Sequence, residues 1–589
     1  MAAPGEVFRP LGGRRARWIA AGVCALLALA WTLPLSPERT WGYDEVMHAE
    51  LPALRMLVAL RLGEPGEAFD ALLDCAQYPP GYPIVLAALQ AFTGPSEMAT
   101  RIFGRLLWAL GCFGVFLLAE QMVASLRRAR GERGALLVRP PPGDELVPWL
   151  ALALAASSPL VLMYSATLFL EVPFTVASIF ALRAFLRRDA DHPRWRRREL
   201  AAGAWLGALF FLKFNYGVLL WLGVALELLF EGAFDVLAGR GRRFALRLAW
   251  LAAIPALLLA WWFLWPLPGS LARGAEHRAA LLTFLSGNQD PSVAVAWRIR
   301  LLDWAGFLFA QPRILWLVLL GVLCSFLEAT RRGPRLFWLL LFAAGGPVWT
   351  HNYHQDRFLI PGALALWMLG ALGLARLAPH GPRARLAAAG FLLAVFFVAP
   401  GFEIRWIAGR LDLLPQDPVQ RAYALEQLAQ RRDLSGDRPV WTAGLPRREA
   451  EAIFDLVAAE VGPEPSVAWL GASSEMSRGA LQIGLLQRGG SPRRFLREVE
   501  KEGLAETAMA DPGIEPEELL RWASRFDVVL TSDPVDLRDR PGRRFLARYR
   551  DILRESAEWS CKPIGSVPIS APLGGARPVE LSACRPAGR

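Results

Sequence analysis

Trp41-Gly42-Tyr43-Asp44-Glu45-Val46-Met47-His48 stands just beyond an apolar run, Trp18 to Leu33, and is followed by Tyr78-Pro79-Pro80-Gly81-Tyr82-Pro83. The run reads as the first, short span of a helical membrane bundle, and the stretch after it places two adjacent carboxylates at a membrane surface. An acid at the mouth of such a bundle can take a proton from an incoming hydroxyl, and the aromatic, proline-stiffened segment can wall a pocket. The competing reading is an ordinary polar loop, since Asp-Glu is a common pair. The rest of the chain decides between them.

Of 589 residues, 54% are hydrophobic and 20% charged, too apolar for a set of ordinary soluble domains. The net charge of +11 comes almost wholly from arginine, since only Lys213, Lys501 and Lys562 are lysines. The arginines cluster in short linkers between apolar runs, which is the positive-inside pattern of a polytopic membrane protein and not a nucleic-acid face. The six cysteines form no C-x-x-C motif and no Cys/His cluster, so a structural zinc site is unsupported; only Cys561 and Cys584 look like disulfide partners. Trp18 to Leu33 lacks a convincing cleavage site, and it reads as an uncleaved first helix.

At roughly 20 apolar residues per helix, about eleven spans are expected. They are Trp18 to Leu33, Ile102 to Leu126, Trp149 to Tyr164, Leu168 to Leu186, Ala201 to Phe214, Tyr216 to Phe234, Leu246 to Leu264, Trp304 to Leu327, Leu336 to Trp349, Phe358 to Leu377 and Leu386 to Phe402. With the N-terminus in the cytoplasm, every inner linker is basic: Arg127 to Arg139, Arg187 to Arg198, Arg240 to Arg247, Arg331 to Arg335 and Arg376 to Arg385. The Asp44-Glu45 loop, Pro266 to Asp303, the His351-Asn352-Tyr353-His354 turn and everything from Glu403 then face the extracytoplasmic side of the cell membrane. This divides the chain into an all-α transmembrane domain, 1–402, and an extracytoplasmic α/β domain, 403–589. The external loop, 36–101, carries helical periodicity from Val46 to Leu60 and from Ile84 to Phe92, as interfacial helices do. Beyond Arg405, strand-like runs (Val440 to Thr442, Val467 to Leu470, Asp527 to Thr531) alternate with helical ones (Arg447 to Val461, Glu517 to Arg525). Gly471-Ala472-Ser473-Ser474 reads as a plain strand-to-helix turn, and no nucleotide-binding signature is found.

Asp44 is the candidate general base, with Glu45 beside it to orient the following helix or raise its basicity. Glu171, at the outer end of the fourth span, is a carboxylate in an apolar setting, where ionisable groups mark function unless a helix end exposes them. Lys213, the only lysine before residue 501, suggests a compact point charge for a phosphate, against the alternative of a cation snorkelling at a helix end. Arg357 breaks the positive-inside pattern and can grip a phosphate bidentately. His351 and His354 lie three apart, and without a placed third ligand they read as hydrogen-bonding residues more readily than as metal ligands.

Taken in order, Tyr43-Asp44-Glu45 with His48-Ala49-Glu50, Tyr78-Pro79-Pro80-Gly81-Tyr82, Ser96-Glu97 with Arg101, Leu170-Glu171-Val172-Pro173, Leu212-Lys213-Phe214 and Asp356-Arg357-Phe358-Leu359-Ile360-Pro361 resemble one family. The chain resembles the GT-C class of membrane glycosyltransferases that use polyprenyl-phosphate sugars, such as aminoarabinose transferases and protein O-mannosyltransferases, over roughly residues 15–400. The resemblance implies that Asp44 is the base, that Tyr78 and Tyr82 line the site, that Glu171 is a second acid, and that Lys213 and Arg357 hold the lipid-linked phosphate. It implies a polyprenyl-phosphate-linked sugar as donor and an acceptor of unknown class. No cofactor is required, though the metal question stays open and a divalent cation is compatible with it. One departure stands out: where relatives often carry a basic residue before the acidic turn after the third span, this chain reads Tyr164-Ser165-Ala166-Thr167.

The alternatives are a lipid or solute transporter or flippase, or a catalytically silent scaffold presenting the C-terminal domain. A transporter would advertise broken helices at mid-membrane and internal repeats, whereas here the polar residues gather at one face.

Overall fold

The computed structural model describes residues 13–35, 46–73, 80–132, 143–168, 170–264, 312–350, 360–377, 445–470, 478–500, 515–535, 546–570 and 576–588. Asp44, Glu45, Tyr78, His351, His354, Arg357, the expected span Leu386 to Phe402, the expected strand Val440 to Thr442, the Gly471 turn and the expected domain boundary at 403 lie outside the described residues.

The helical part runs as α1 (Gly13–Thr32), a π-helical turn (Val46–Glu50), α2 (Leu51–Arg61), α3 (Pro65–Leu73), α4 (Gly81–Thr93), α5 (Glu97–Glu132), α6 (Val147–Ala156), α7 (Pro159–Tyr164), α8 (Glu171–Leu186), α9 (Trp195–Leu212), α10 (Phe214–Leu237), α11 (Gly241–Leu264), α12 (Pro312–Ser325), α13 (Arg332–Thr350) and α14 (Ile360–Leu377). Among the described residues, three stretches are long and apolar enough to cross a membrane: Glu97–Arg127, Tyr216–Leu237 and Gly241–Trp262. Helices of this apolarity, with Leu26, Leu229, Leu237 and Leu323 exposed on their flanks, belong to a membrane protein. The count of eleven spans stays an expectation.

The third expected span is not continuous. α6 stops at Ala156 and α7 begins at Pro159, because a proline forces its predecessor away from helical geometry, and Ser158 is extended at φ −71, ψ 107. Another break falls at Lys213, a single extended residue (φ −159, ψ 99) that ends α9 and starts α10. Helices also meet backbone to backbone: a Cβ on Gly373 of α14 would lie 1.7 Å from the Gly321 carbonyl oxygen of α12, so only glycine fits that crossing.

The basic linkers converge at one end of the bundle. Arg127 and Arg376 share Asp144, at 2.9 and 2.6 Å. Arg188 and Arg332 share Glu231, at 2.9 and 2.7 Å, while Arg188 and Arg247 share Glu199, at 3.3 and 2.7 Å. Arg335 grips both oxygens of Glu227. Charge that the positive-inside rule leaves in the linkers is thus partly folded inward and paired, as burial requires.

At the opposite end, the external-loop helices α2 to α4 form a cap whose core joins Val46, Leu51, Leu54, Tyr82 and Leu86 to Leu168 and Leu170 of the bundle. The α/β part sits against this cap. It comprises α15 (Arg447–Val461), β1 (Val467–Leu470), α16 (Arg478–Gln487), α17 (Pro492–Glu500), α18 (Pro516–Ala523), β2 (Val528–Asp533), α19 (Leu546–Glu555), β3 (Trp559–Ser570) and β4 (Ala576–Pro586). The sheet order is β1-β2-β4-β3, parallel between β1 and β2 and antiparallel elsewhere. Alternate β1 residues serve two cores: Val467 and Trp469 pack with α15 and α16, and Ala468 and Leu470 with α18 and α19. Cys561 and Cys584 face each other across β3 and β4 and form a disulfide. Among the described residues, this part exposes no large apolar side chain, unlike the helical part.

Candidate functional site

The chain places Glu171 at the first residue of α8 and Lys213 at the extended junction, and folding brings the two together. Lys213 Nζ lies 2.5 Å from Glu171 Oε1, and the Tyr216 hydroxyl donates to the same oxygen at 3.3 Å. The ammonium also stands 4.2 Å from the Tyr216 ring centroid, close enough for a cation–π contact. Glu171 is 0% and Lys213 3% exposed, so Lys213 does not snorkel to water and Glu171 is not a solvated helix end. The extended conformation at Lys213 is what allows this, because it turns the side chain off the α9 axis toward α8.

A cavity of about 20 Å³, space for roughly one water, lies one to two turns beneath the pair. Thr175, Ser178 and Tyr216 contribute its polar lining, and Phe174, Ile360 and Leu364 close it with apolar surface. Ile360 opens α14, three residues after Arg357. The α4 helix, with Tyr82 at its second position, starts against the same junction: a Cβ on Gly81 would lie 2.5 Å from the Phe211 carbonyl oxygen. Tyr82 is 2% exposed in the cap core. Of the nine residues singled out from sequence, the structure therefore describes Tyr82, Glu171 and Lys213 and clusters them at one end of the bundle.

Tyr216 and Arg105 escaped the sequence reading, and Arg101 entered it only as part of the Ser96-Glu97 motif, with no role assigned. Tyr216 looked like one more aromatic in an apolar span. Arg101 and Arg105, spaced four apart on one face of α5, reach the turn that follows α7: Arg105 donates to the Leu162 carbonyl and, at 3.0 Å, to the Ser165 hydroxyl, while Arg101 stands 3.5 Å from the Ala166 carbonyl. Both are at most 1% exposed. The signal was available, because two arginines at the outer end of a span violate the positive-inside rule as plainly as Arg357 does. They also bear on the departure at Tyr164 to Thr167, since positive charge reaches that turn from α5.

The approach of α5 to this turn is as close as backbone allows. A Cβ on Gly104 would fall 2.1 Å from the Ser165 carbonyl oxygen. Gly104→Ala is expected to push α5 off the turn at a cost of about 1–3 kcal/mol or more. Its thermal unfolding midpoint should fall well below that of Gly22→Ala, whose new methyl meets nothing within 4 Å. Equal midpoints in a detergent melt would refute the close packing.

No protein-family profile and no curated protein sequence matches the chain. Solved structures do. The apo crystal structure of ArnT from Cupriavidus metallidurans aligns with a TM-score of 0.57 at 14% identity, over 96% of this chain and 97% of that one. The chain shares the fold of ArnT. The ArnT crystal structure bound to undecaprenyl phosphate aligns over the same shares of both chains, with a TM-score of 0.50 at 13% identity. A likeness that spans both the helical and the α/β parts makes the C-terminal domain part of the shared architecture.

Proposed function

We propose that the chain transfers a sugar from a polyprenyl-phosphate-linked donor to an acceptor at the outer face of the cytoplasmic membrane, with Asp44 as general base. The observation that carries this reading is the buried Glu171–Lys213 pair at the bundle end opposite the arginine network, in a fold shared with a protein solved with undecaprenyl phosphate. The Glu171 carboxylate and the Tyr216 ring hold this buried ammonium in place, and an ammonium is a compact point charge suited to a phosphate. Arg357 supplies a second cation. Tyr78 and Tyr82 wall the site, His351 and His354 hydrogen-bond within it, and Glu45 supports Asp44.

In this reaction the bond between the anomeric carbon and the phosphate oxygen breaks, and its electron pair leaves with the phosphate. The acceptor oxygen or nitrogen bonds to that carbon and gives its proton to the Asp44 carboxylate. The leaving group departs as an anion that Lys213 and Arg357 stabilise, so little acid catalysis is needed. A divalent cation is the alternative counter-charge on the phosphate, and turnover in EDTA decides between the two.

Three features support this membrane placement. The basic linkers meet at the end assigned to the cytoplasm, the α/β domain lies at the other, and that domain carries a disulfide, which persists in oxidising compartments. The test is mass spectrometry of cell-envelope lipids and glycans from a deletion strain. A sugar-loaded polyprenyl phosphate should accumulate and one sugar should vanish from its acceptor, both reversed by the intact gene; an unchanged envelope would overturn the reading.

A further inference from the structure

Helix α16 belongs to two cores at once. Leu481 and Leu485 are buried in the core of the α/β domain, whereas Ala480 and Ile483 are buried in the cap core with Val46, Leu51 and Leu54. Phe495 and Leu496 of α17 join them there. The α/β domain is further tied to the bundle by an ion pair between Arg447 at the start of α15 and Glu97 at the start of α5. The part of the cap that α16 touches is the π-helical turn Val46–Glu50, which directly follows Asp44-Glu45 in the chain. Single π turns recur at functional sites, where they set the aim of nearby groups.

Two glycines on α16 face opposite ways. A Cβ on Gly484 would meet the Phe454 ring at 2.5 Å, inside the α/β domain. A Cβ on Gly479 would instead meet Val46 Cγ1 at 2.8 Å, Met47 Sδ at 3.1 Å and Leu51 Cδ2 at 3.3 Å. Val46 is β-branched, 1% exposed and held in the cap core, so it cannot swing away. Carbon atoms in contact sit about 3.5–4.0 Å apart, so even one methyl at position 479 demands a shift approaching 1 Å.

From this geometry we infer that Gly479 is a positioning residue: through its side-chain-free contact with Val46 and Met47, the α/β domain holds the π-helical turn that follows Asp44 in the sequence, and catalysis depends on that contact. The inference rests on the reading of Asp44 as base. The α/β domain then acts on catalysis through the π-helical turn, without touching the reacting atoms. Leu481 and Leu485 anchor the helix on the domain side, which makes α16 a rigid spacer.

The experiment is a set of variants returned to the deletion strain and read as glycan product per molecule of protein. Gly479→Ala should lower product about 100-fold, the cost of a displacement of about 1 Å in a reacting group, while protein level and protease resistance stay normal. Val46→Ala alone sets the reference level, and adding it to Gly479→Ala should bring product back up to that level, since it empties the space the new methyl needs. Gly484→Ala is the matched control: it should lower protein level or protease resistance, and Val46→Ala should not rescue it.

Normal product from Gly479→Ala would overturn the inference. So would a loss that tracks protein level as in Gly484→Ala, or a loss that Val46→Ala fails to rescue. Asp44→Asn is carried in the same series to separate the two ideas. An active Asp44→Asn removes the base reading and the inference with it, whereas an inert Asp44→Asn beside an indifferent Gly479→Ala removes the inference alone.

Discussion

Lys213→Met should abolish product formation and also lower the unfolding midpoint, because it leaves the Glu171 carboxylate, 0% exposed, without its 2.5 Å cation. Removing one partner of a buried pair costs about 3–5 kcal/mol. Glu171→Gln is expected to do the same from the other side, stranding an ammonium among Tyr216, Phe174 and the cap. Loss of activity alone would not separate collapse from chemistry, and the double variant Glu171→Leu with Lys213→Met does. Replacing both charges by apolar groups of similar size is often neutral for stability, so the melt should return most of the way to that of the parent while product stays absent. A double variant that regains product would mean that the pair is structural and that the phosphate is held elsewhere.

The second large effect lies at the opposite end of the bundle. Glu231 is shared by Arg188, 2% exposed, and Arg332. Glu231→Ala leaves two guanidinium groups facing each other, with Arg247 close by on Glu199. The expected cost is again about 3–5 kcal/mol, enough to empty the membrane of folded protein. Asp191→Ala is the contrast, since its pair with Arg243 is 87% and 46% exposed and is worth about 1 kcal/mol or less. Immunoblots of membrane fractions read both; equal levels would show that the inner network does not hold the helices. A network that ties α8, α9, α10, α11 and α13 at one end also bears on the transporter alternative, which requires that end to open in each cycle.

Much of this architecture was written plainly in the chain. Arginine placement marked one end of the expected spans, and the structure gathers Arg127, Arg188, Arg247, Arg332, Arg335 and Arg376 onto carboxylates. Glu171 and Lys213 were noticed because each broke a local habit, an acid in an apolar run and a lysine in a chain of arginines. That they form one pair was not legible, because 42 residues separate them and only the extended backbone at Lys213 aims them together. The break at Ser158 was readable from Pro159, yet apolar density on both sides hid it. The β3–β4 hairpin was missed because Pro563, Pro568, Pro578 and Pro586 obscure its alternation. The fold tolerates them because β3 is an edge strand and β4 pairs with β2 only from Glu580 to Cys584. Gly479 carried no signal at all, since what defines it is the turn packed against it from over 400 positions away.

The central claim is that a carboxylate in the first external loop takes the acceptor's proton as the sugar leaves its lipid phosphate. The measurement that tests it most directly is the envelope of the deletion strain carrying Asp44→Asn at normal membrane abundance. Asn keeps the shape of Asp and cannot take the proton, so the account predicts that the sugar-loaded polyprenyl phosphate still accumulates and the glycan stays missing, as in the empty strain. Restoration of the glycan by Asp44→Asn would contradict it.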